Sequence, residues 1–159
     1  MYEFSIDTSS KADLYRDLLA ALDALTVSEP DPVANMANAA ALIWEYLPAL
    51  NWAGFYRLID GELVLGPFQG KVACIRIALG KGVCGTAAST LKTQLVADVH
   101  AFPGHIACDA ASASELVVPM LKDGRLIAVL DLDSPKPGRF DEQDALGCEA
   151  MAALLSDRI

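Results

Sequence analysis

Two Asp-Gly dipeptides constrain this chain more than any other feature. Asp60-Gly61 stands between the runs Trp52 to Ile59 and Glu62 to Leu65, and Asp123-Gly124 stands between Leu116 to Leu121 and Leu126 to Asp133. Asp-Gly between apolar runs of strand length is a hairpin signal, because the pair accepts the backbone angles of a tight turn whose twist matches the paired strands. Two such hairpins commit the middle of the chain to antiparallel sheet. The β-α-β-α alternation of a parallel doubly wound sheet is absent.

Helical spacing brackets the hairpins. Ser10 and Asp13 form a cap-like pair ahead of Leu14, Leu18, Leu22 and Leu25. Asp31-Pro32 then offers a capping carboxylate and a first-turn proline ahead of the stripe Val33, Met36, Ala40, Ile43 and Leu47, with a stop near Pro48. A capped segment from Asp141 to Ile159 reads as a closing helix. Between the hairpins, Gly66 to Gly70 reads as a loop and Val72 to Leu79 as a strand carrying Cys74. Gly80-Lys81-Gly82 opens a short helix containing Cys84, Gln94 to Ala97 forms a further strand, and Asp98 to Ser114 is a long loop. The expectation is an α+β fold of helices packed on a sheet. One domain spans 1–159, with N-terminal helices at about 11–48, sheet and loops at about 51–134 and a C-terminal helix at about 141–159.

Composition narrows the partners. Of 159 residues 53% are hydrophobic, enough for a sizeable core. Twelve Lys and Arg against 21 Asp and Glu give a net charge of -9, which repels nucleic acid and anionic membranes. The N-terminus lacks the basic start and apolar core of a secretory signal, and no apolar run approaches the roughly 18 residues of a membrane span. A cytoplasmic location is expected, and with it four thiols, Cys74, Cys84, Cys108 and Cys148, rather than a permanent disulfide framework.

Several of these residues invite chemistry. Cys84, behind Gly82 at a helix start, has backbone N–H groups and the helix dipole available to favour a thiolate, or else is a small side chain packed beneath the helix. Cys148, among Leu146 and Met151, reads as structural. Cys108 lies in the polar loop His105-Ile106-Ala107-Cys108-Asp109, a favoured setting for a reactive group, where His100 and His105 either assist it or are simply solvated. Zinc is a weaker use of the same thiols, since no C-x2-C pair is present. Asp131 and Asp133, two apart near a strand end, project from one face, and Glu115 begins a neighbouring strand. Such a group holds an ammonium ion or shares a proton, unless it is only a solvated strand end. Gly80-Lys81-Gly82 matches neither a dinucleotide-binding nor a Walker phosphate pattern.

Read together, Asn51-Trp52-Ala53-Gly54-Phe55-Tyr56, Leu65-Gly66-Pro67-Phe68-Gln69-Gly70-Lys71, Gly82-Val83-Cys84-Gly85-Thr86-Ala87, His105-Ile106-Ala107-Cys108-Asp109-Ala110, Ser114-Glu115 and Leu130-Asp131-Leu132-Asp133-Ser134 resemble the free methionine-R-sulfoxide reductases, which use a GAF domain. The resemblance spans nearly all of the chain after the first helix. It implies a six-stranded antiparallel GAF sheet with packed helices and an enclosed pocket. Cys108 would attack the sulfoxide, Cys74 would lead in resolving the product, and Cys84 could join disulfide exchange. Trp52 and Tyr56 would line the pocket, while Glu115, Asp131 and Asp133 would bind free L-methionine (R)-S-oxide and assist proton transfer. It further implies thioredoxin as external reductant, a homodimer, and no bound metal or organic cofactor. The alternatives are a noncatalytic GAF sensor of a small metabolite and, more weakly, a redox switch acting on a partner.

Overall fold

The computed structural model describes residues 3–106 and 109–159. Both Asp-Gly pairs make the expected turns. Asp60 and Gly61 sit at φ 52° and 81°, and Asp123 and Gly124 at 51° and 74°, all in the left-handed region that Asp tolerates and Gly favours. They join β1 (Trp52–Ile59) to β2 (Glu62–Gly70) and β5 (Ser114–Lys122) to β6 (Arg125–Ser134). With β3 (Arg76–Ala78) and β4 (Gln94–Val96), the described residues form one antiparallel sheet in the order β3-β2-β1-β6-β5-β4.

The helices follow their caps. Helix α1 (Lys11–Thr26) starts where Ser10 accepts a bond from Asp13 N, and α2 (Pro32–Tyr46) where Asp31 accepts from Ala34 N. Helix α4 (Glu142–Ser156) opens with a capping box between Asp141 and Asp144. These three cover one face of the sheet: Leu18, Leu22, Ile43, Met151 and Leu155 pack against Phe55, Leu116, Met120, Leu130 and Leu132. Burying each of these side chains contributes roughly 1.5–3 kcal/mol. Cys148 is fully buried in this core, its Sγ 4.0 Å from the Tyr15 hydroxyl, in keeping with a structural thiol. That hydroxyl donates to Asp144, which Lys11 and Arg139 also contact, so the first and last helices are tied at one buried carboxylate. No helix among the described residues is long and apolar enough to cross a membrane.

Helix α3 (Gly82–Thr90) lies on the other face, over Tyr56, Leu63, Val117 and Val129. Strand alternation divides the two cores. On β6, Ala128, Leu130 and Leu132 face the three helices, leaving Val129, Asp131 and Asp133 for the side of α3.

Two expectations are corrected. Gly66 to Gly70 is strand rather than loop: β2 runs on past a bulge opposite Gly54 and Tyr56 to pair Gly70 with Trp52. Strand β3 reaches β2 only at Glu62 to Val64, so Pro67 lies where its missing N–H breaks no ladder on that side. For the same reason the strand expected over Val72 to Leu79 shrinks to Arg76–Ala78. Leu65 N donates to Ile75 O at 3.0 Å, and no ladder pair extends beyond it, so Cys74 precedes the strand.

The extension of β2 depends on Gly54, where an added Cβ would lie 2.3 Å from Phe68 Cβ and 2.8 Å from Pro67 O. Gly54→Ala is therefore expected to cost about 1–3 kcal/mol through overpacking. Chemical denaturation checks this, and an unchanged midpoint overturns the contact as a constraint.

Candidate functional site

Three strands floor a cavity on the α3 side. Register puts Trp52 of β1 opposite Asp133 of β6, and Asp133 opposite Glu115 of β5, so an indole and two carboxylates form one row. One step along, Asp131 lies between Gly54 and Val117, and Tyr56 pairs with Val129. Trp52, Tyr56, Cys84, Glu115, Asp131 and Asp133 all line the cavity. The sheet thus gathers all five pocket residues expected from the sequence, and α3 brings Cys84 down onto them.

The aromatic wall is stacked. Trp52 lies 5.7 Å from the Tyr56 ring and 5.2 Å from Phe68, with interplanar angles of 21° and 13°. The indole N–H donates to Lys71 O at 3.2 Å, which fixes the ring plane. Phe68 was not singled out from the sequence because Gly66 to Gly70 reads as loop, and only the β2 extension puts its ring beside Trp52.

Opposite this wall the charges are unbalanced. Glu115 and Asp131 are 6% and 5% exposed, and among the described residues no Lys, Arg or His forms an ion pair with either or with Asp133. Asp131 Oδ1 is buried without a hydrogen-bond partner. Desolvation pushes the Asp131 carboxyl up to about 7, partly offset by hydrogen bonds with Cys84 and Glu115. Desolvation and the charge of Asp131 hold Glu115 and Asp133 well above the ordinary carboxylate range. Burial thus brings three carboxyl groups of raised pKa together on one side of the cavity.

Of the two readings of Cys84, a helix-start thiolate or a small side chain packed beneath the helix, its burial favours the second. Its Sγ is 3.9 Å from Glu115 Oε1 and fully enclosed, so desolvation, then the charges of Asp131 and Glu115, push the thiol well above its usual range. Burial beside two carboxylates outweighs the helix dipole, which contributes only about 0.3–2 kcal/mol. Cys74 is disulfide-bonded, and its side chain packs on the apolar cluster of this same face. Cys108 lies outside the described residues. His105 lines the cavity, its ring 6.3 Å from that of His100, and partial burial followed by the charge of His100 lowers its pKa, favouring the neutral ring.

Asn51, Asp109 and Ser112 were not picked out as site residues. Asn51 Nδ2 donates to Asp109 Oδ2 at 3.2 Å and to Ser112 Oγ at 3.0 Å, tying the long loop to the start of β1. Ser112 also lies near enough to Asp133 to offset part of the rise in its pKa, and Lys71 lies 3.5 Å from Asp109. The one local signal is an Asx turn, in which Asp109 Oδ1 accepts from Ala111 N.

Residues 34–159 match the GAF domain family. The chain belongs to that family. This GAF domain is 50% identical over 146 residues to the free methionine-R-sulfoxide reductase of Escherichia coli, covering 92% of this chain and 88% of that one. It is 45% identical to the Saccharomyces cerevisiae protein of the same name, with 92% and 86% covered. The X-ray structure of free methionine-R-sulfoxide reductase from Neisseria meningitidis in complex with its substrate superimposes with a TM-score of 0.95, at 46% identity, over 99% of this chain and 95% of that one.

The crowded carboxylates have a consequence for stability. A carboxyl whose folded pKa exceeds its unfolded value costs little below the unfolded value, near 4, lowers stability as pH rises from there because the unfolded chain ionises first, and reaches its full penalty once pH passes the folded value, about 7 for Asp131. Asp131→Asn should raise Tm at pH 8 by a few degrees, at roughly 2–4 °C per kcal/mol for a chain of this size, and do little at pH 4.5. Thermal scans at both pH values decide it; equal shifts at the two would remove ionisation as the cause.

Proposed function

We propose that this GAF domain is a thiol-dependent reductase of free L-methionine (R)-S-oxide. The observation that carries this reading is the set of three carboxylates beside an aromatic wall with no cation among the described residues to pair them, in a chain half identical to an enzyme of that name. A free amino acid supplies what the pocket lacks. Its ammonium group enters between Glu115, Asp131 and Asp133, and its methyl sulfoxide end lies against Trp52 and Tyr56.

In the proposed reaction the Cys108 thiolate attacks the sulfoxide sulfur, and a protonated carboxyl of the cluster delivers its proton to the departing oxygen. The S–O bond breaks, its oxygen passes as hydroxyl to the Cys108 sulfur, the transient bond between the two sulfurs is lost, methionine leaves, and Cys108 becomes a sulfenic acid. The raised carboxyl pKa values support this role, since a group ionised at neutral pH has no proton to give. Cys74 then condenses with the sulfenic acid, releasing water and forming a disulfide. A dithiol protein of the thioredoxin kind takes up the oxidising equivalents by exchange. The electrons come from thiols throughout, so the cycle needs neither metal nor organic cofactor. That Cys74 is disulfide-bonded supports it as the resolving thiol, and the neutral, enclosed state of Cys84 makes that thiol the slower participant. The reading includes a cytoplasmic homodimer.

Recognition through the ammonium predicts that N-acetyl methionine sulfoxide is turned over with kcat/KM lower by at least about 100-fold, because the carboxylates are left without their cation. Methionine release from free and N-blocked R and S sulfoxides, with dithiothreitol as reductant, tests class, substrate and stereochemistry together. Comparable rates for free and blocked substrate would sink the assignment, and binding without turnover would move the domain to a sensor role.

The two thiol roles separate in a single turnover. Cys108→Ser should release no methionine, whereas Cys74→Ser should release up to one per chain and stall as a sulfenic acid that a dimedone-type reagent traps. Full multiple turnover by Cys74→Ser with thioredoxin would transfer resolution to Cys84.

A further inference from the structure

Besides an ammonium, the same corner of the cavity offers a donor set of a different kind. Cys84 Sγ and one oxygen each of Glu115 and Asp131 lie within 4.8 Å of one another, and all three residues are buried. We propose that these three side chains form a binding site for a zinc-class divalent cation, and that occupancy of this site closes the pocket to substrate. The metal binding follows from geometry alone, and only the inhibition rests on the reductase reading.

Three features select this class of ion. A thiolate with two carboxylates makes a three-ligand set that leaves one position of a tetrahedron open, which suits Zn²⁺. Calcium and magnesium need more oxygen ligands than this apolar-walled corner supplies and gain nothing from sulfur. With bonds of roughly 2.0–2.3 Å, tetrahedral ligand atoms stand roughly 3.5 Å apart, so the set closes with about 1 Å of side-chain movement. The Cys84 to Glu115 pair, at 3.9 Å, is already near that spacing.

An independent observation shows that the corner is short of a cation. Asp131 is 5% exposed, lines the cavity, and buries an Oδ1 that meets no donor. An unsatisfied buried carboxylate oxygen is costly, and a metal ion satisfies it as directly as an ammonium does. The three donors come from three different elements, α3, β5 and β6, so their separation is set by the packed core beneath them. On binding, the ion forms one M–S and two M–O bonds, and any protons held by the donors pass to solvent. Glu115 and Asp131 are then no longer free to receive an ammonium group.

Cobalt(II) is the probe, because tetrahedral coordination by a thiolate gives an intense near-ultraviolet charge-transfer band. Titration is carried out on the purified protein without reductant, keeping Cys74 in its disulfide. The expected result is a band saturating at one ion per chain, displaced by Zn²⁺, lost in Cys84→Ser and unchanged in Cys148→Ala. Glu115→Gln should raise Kd by at least about tenfold. No band, or a band that survives Cys84→Ser, overturns the site. If Cys84→Ser fails to fold by circular dichroism, Glu115→Gln decides, and wild-type affinity in that variant is equally fatal. In turnover assays Zn²⁺ should raise the apparent KM for free methionine sulfoxide without lowering the limiting rate. Absence of turnover without zinc counts against the reductase reading alone, while absence of the cobalt band counts against this one alone.

Discussion

Strand β6 lies at the centre of the sheet with side chains buried on both faces, and its alternation holds the rest of the structure in place. Ala128, Leu130 and Leu132 enter the core beneath α1, α2 and α4, while Val129, Asp131 and Asp133 face α3. A slip of one residue would put two carboxylates among leucines and two leucines against the cavity. The apolar side of that exchange alone forbids it, so the leucines fix where the aspartates stand. Pairing with β1 on one side and β5 on the other then determines which residues the aspartates meet: Trp52 and Gly54, Glu115 and Val117.

The same arrangement explains how the fold tolerates a poorly satisfied site. Two buried carboxylates, one with an oxygen that finds no donor, a half-buried third and a neutral thiol are crowded together and destabilise the α3 side of the sheet. The opposite face carries the larger core, closed by three capped helices and by the buried Asp144 network joining the first helix to the last. Stability is drawn from one face and spent on the other.

Much of this was legible in the chain. The Asp-Gly pairs, the caps at Ser10, Asp31 and Asp141, and the i, i+2 spacing of Asp131 and Asp133 each encode a local backbone requirement, and each requirement appears where it was read. Gly66 to Gly70 misled because glycine and proline are loop residues by composition. Here they form a strand, since β1 needs a partner for Trp52 to Gly54 and Gly54 leaves room for Phe68. Asn51 and Ser112 escaped notice because their bonds bridge 61 residues of sequence and no local pattern records them.

The sequence by itself determined the antiparallel class, the capped starts of the three long helices, the shared face of Asp131 and Asp133 and the residue types available for chemistry, because short-range dihedral preference and side-chain periodicity are properties of neighbours along the chain. Tertiary structure alone decided the electrostatic state of the site. Cys84 has the helix start that ordinarily favours a thiolate, yet packing against β5 and β6 removes water and adds two carboxylates, and the thiol stays protonated. Desolvation and charge act through space, so the ionisation of a side chain depends on which distant segments close over it.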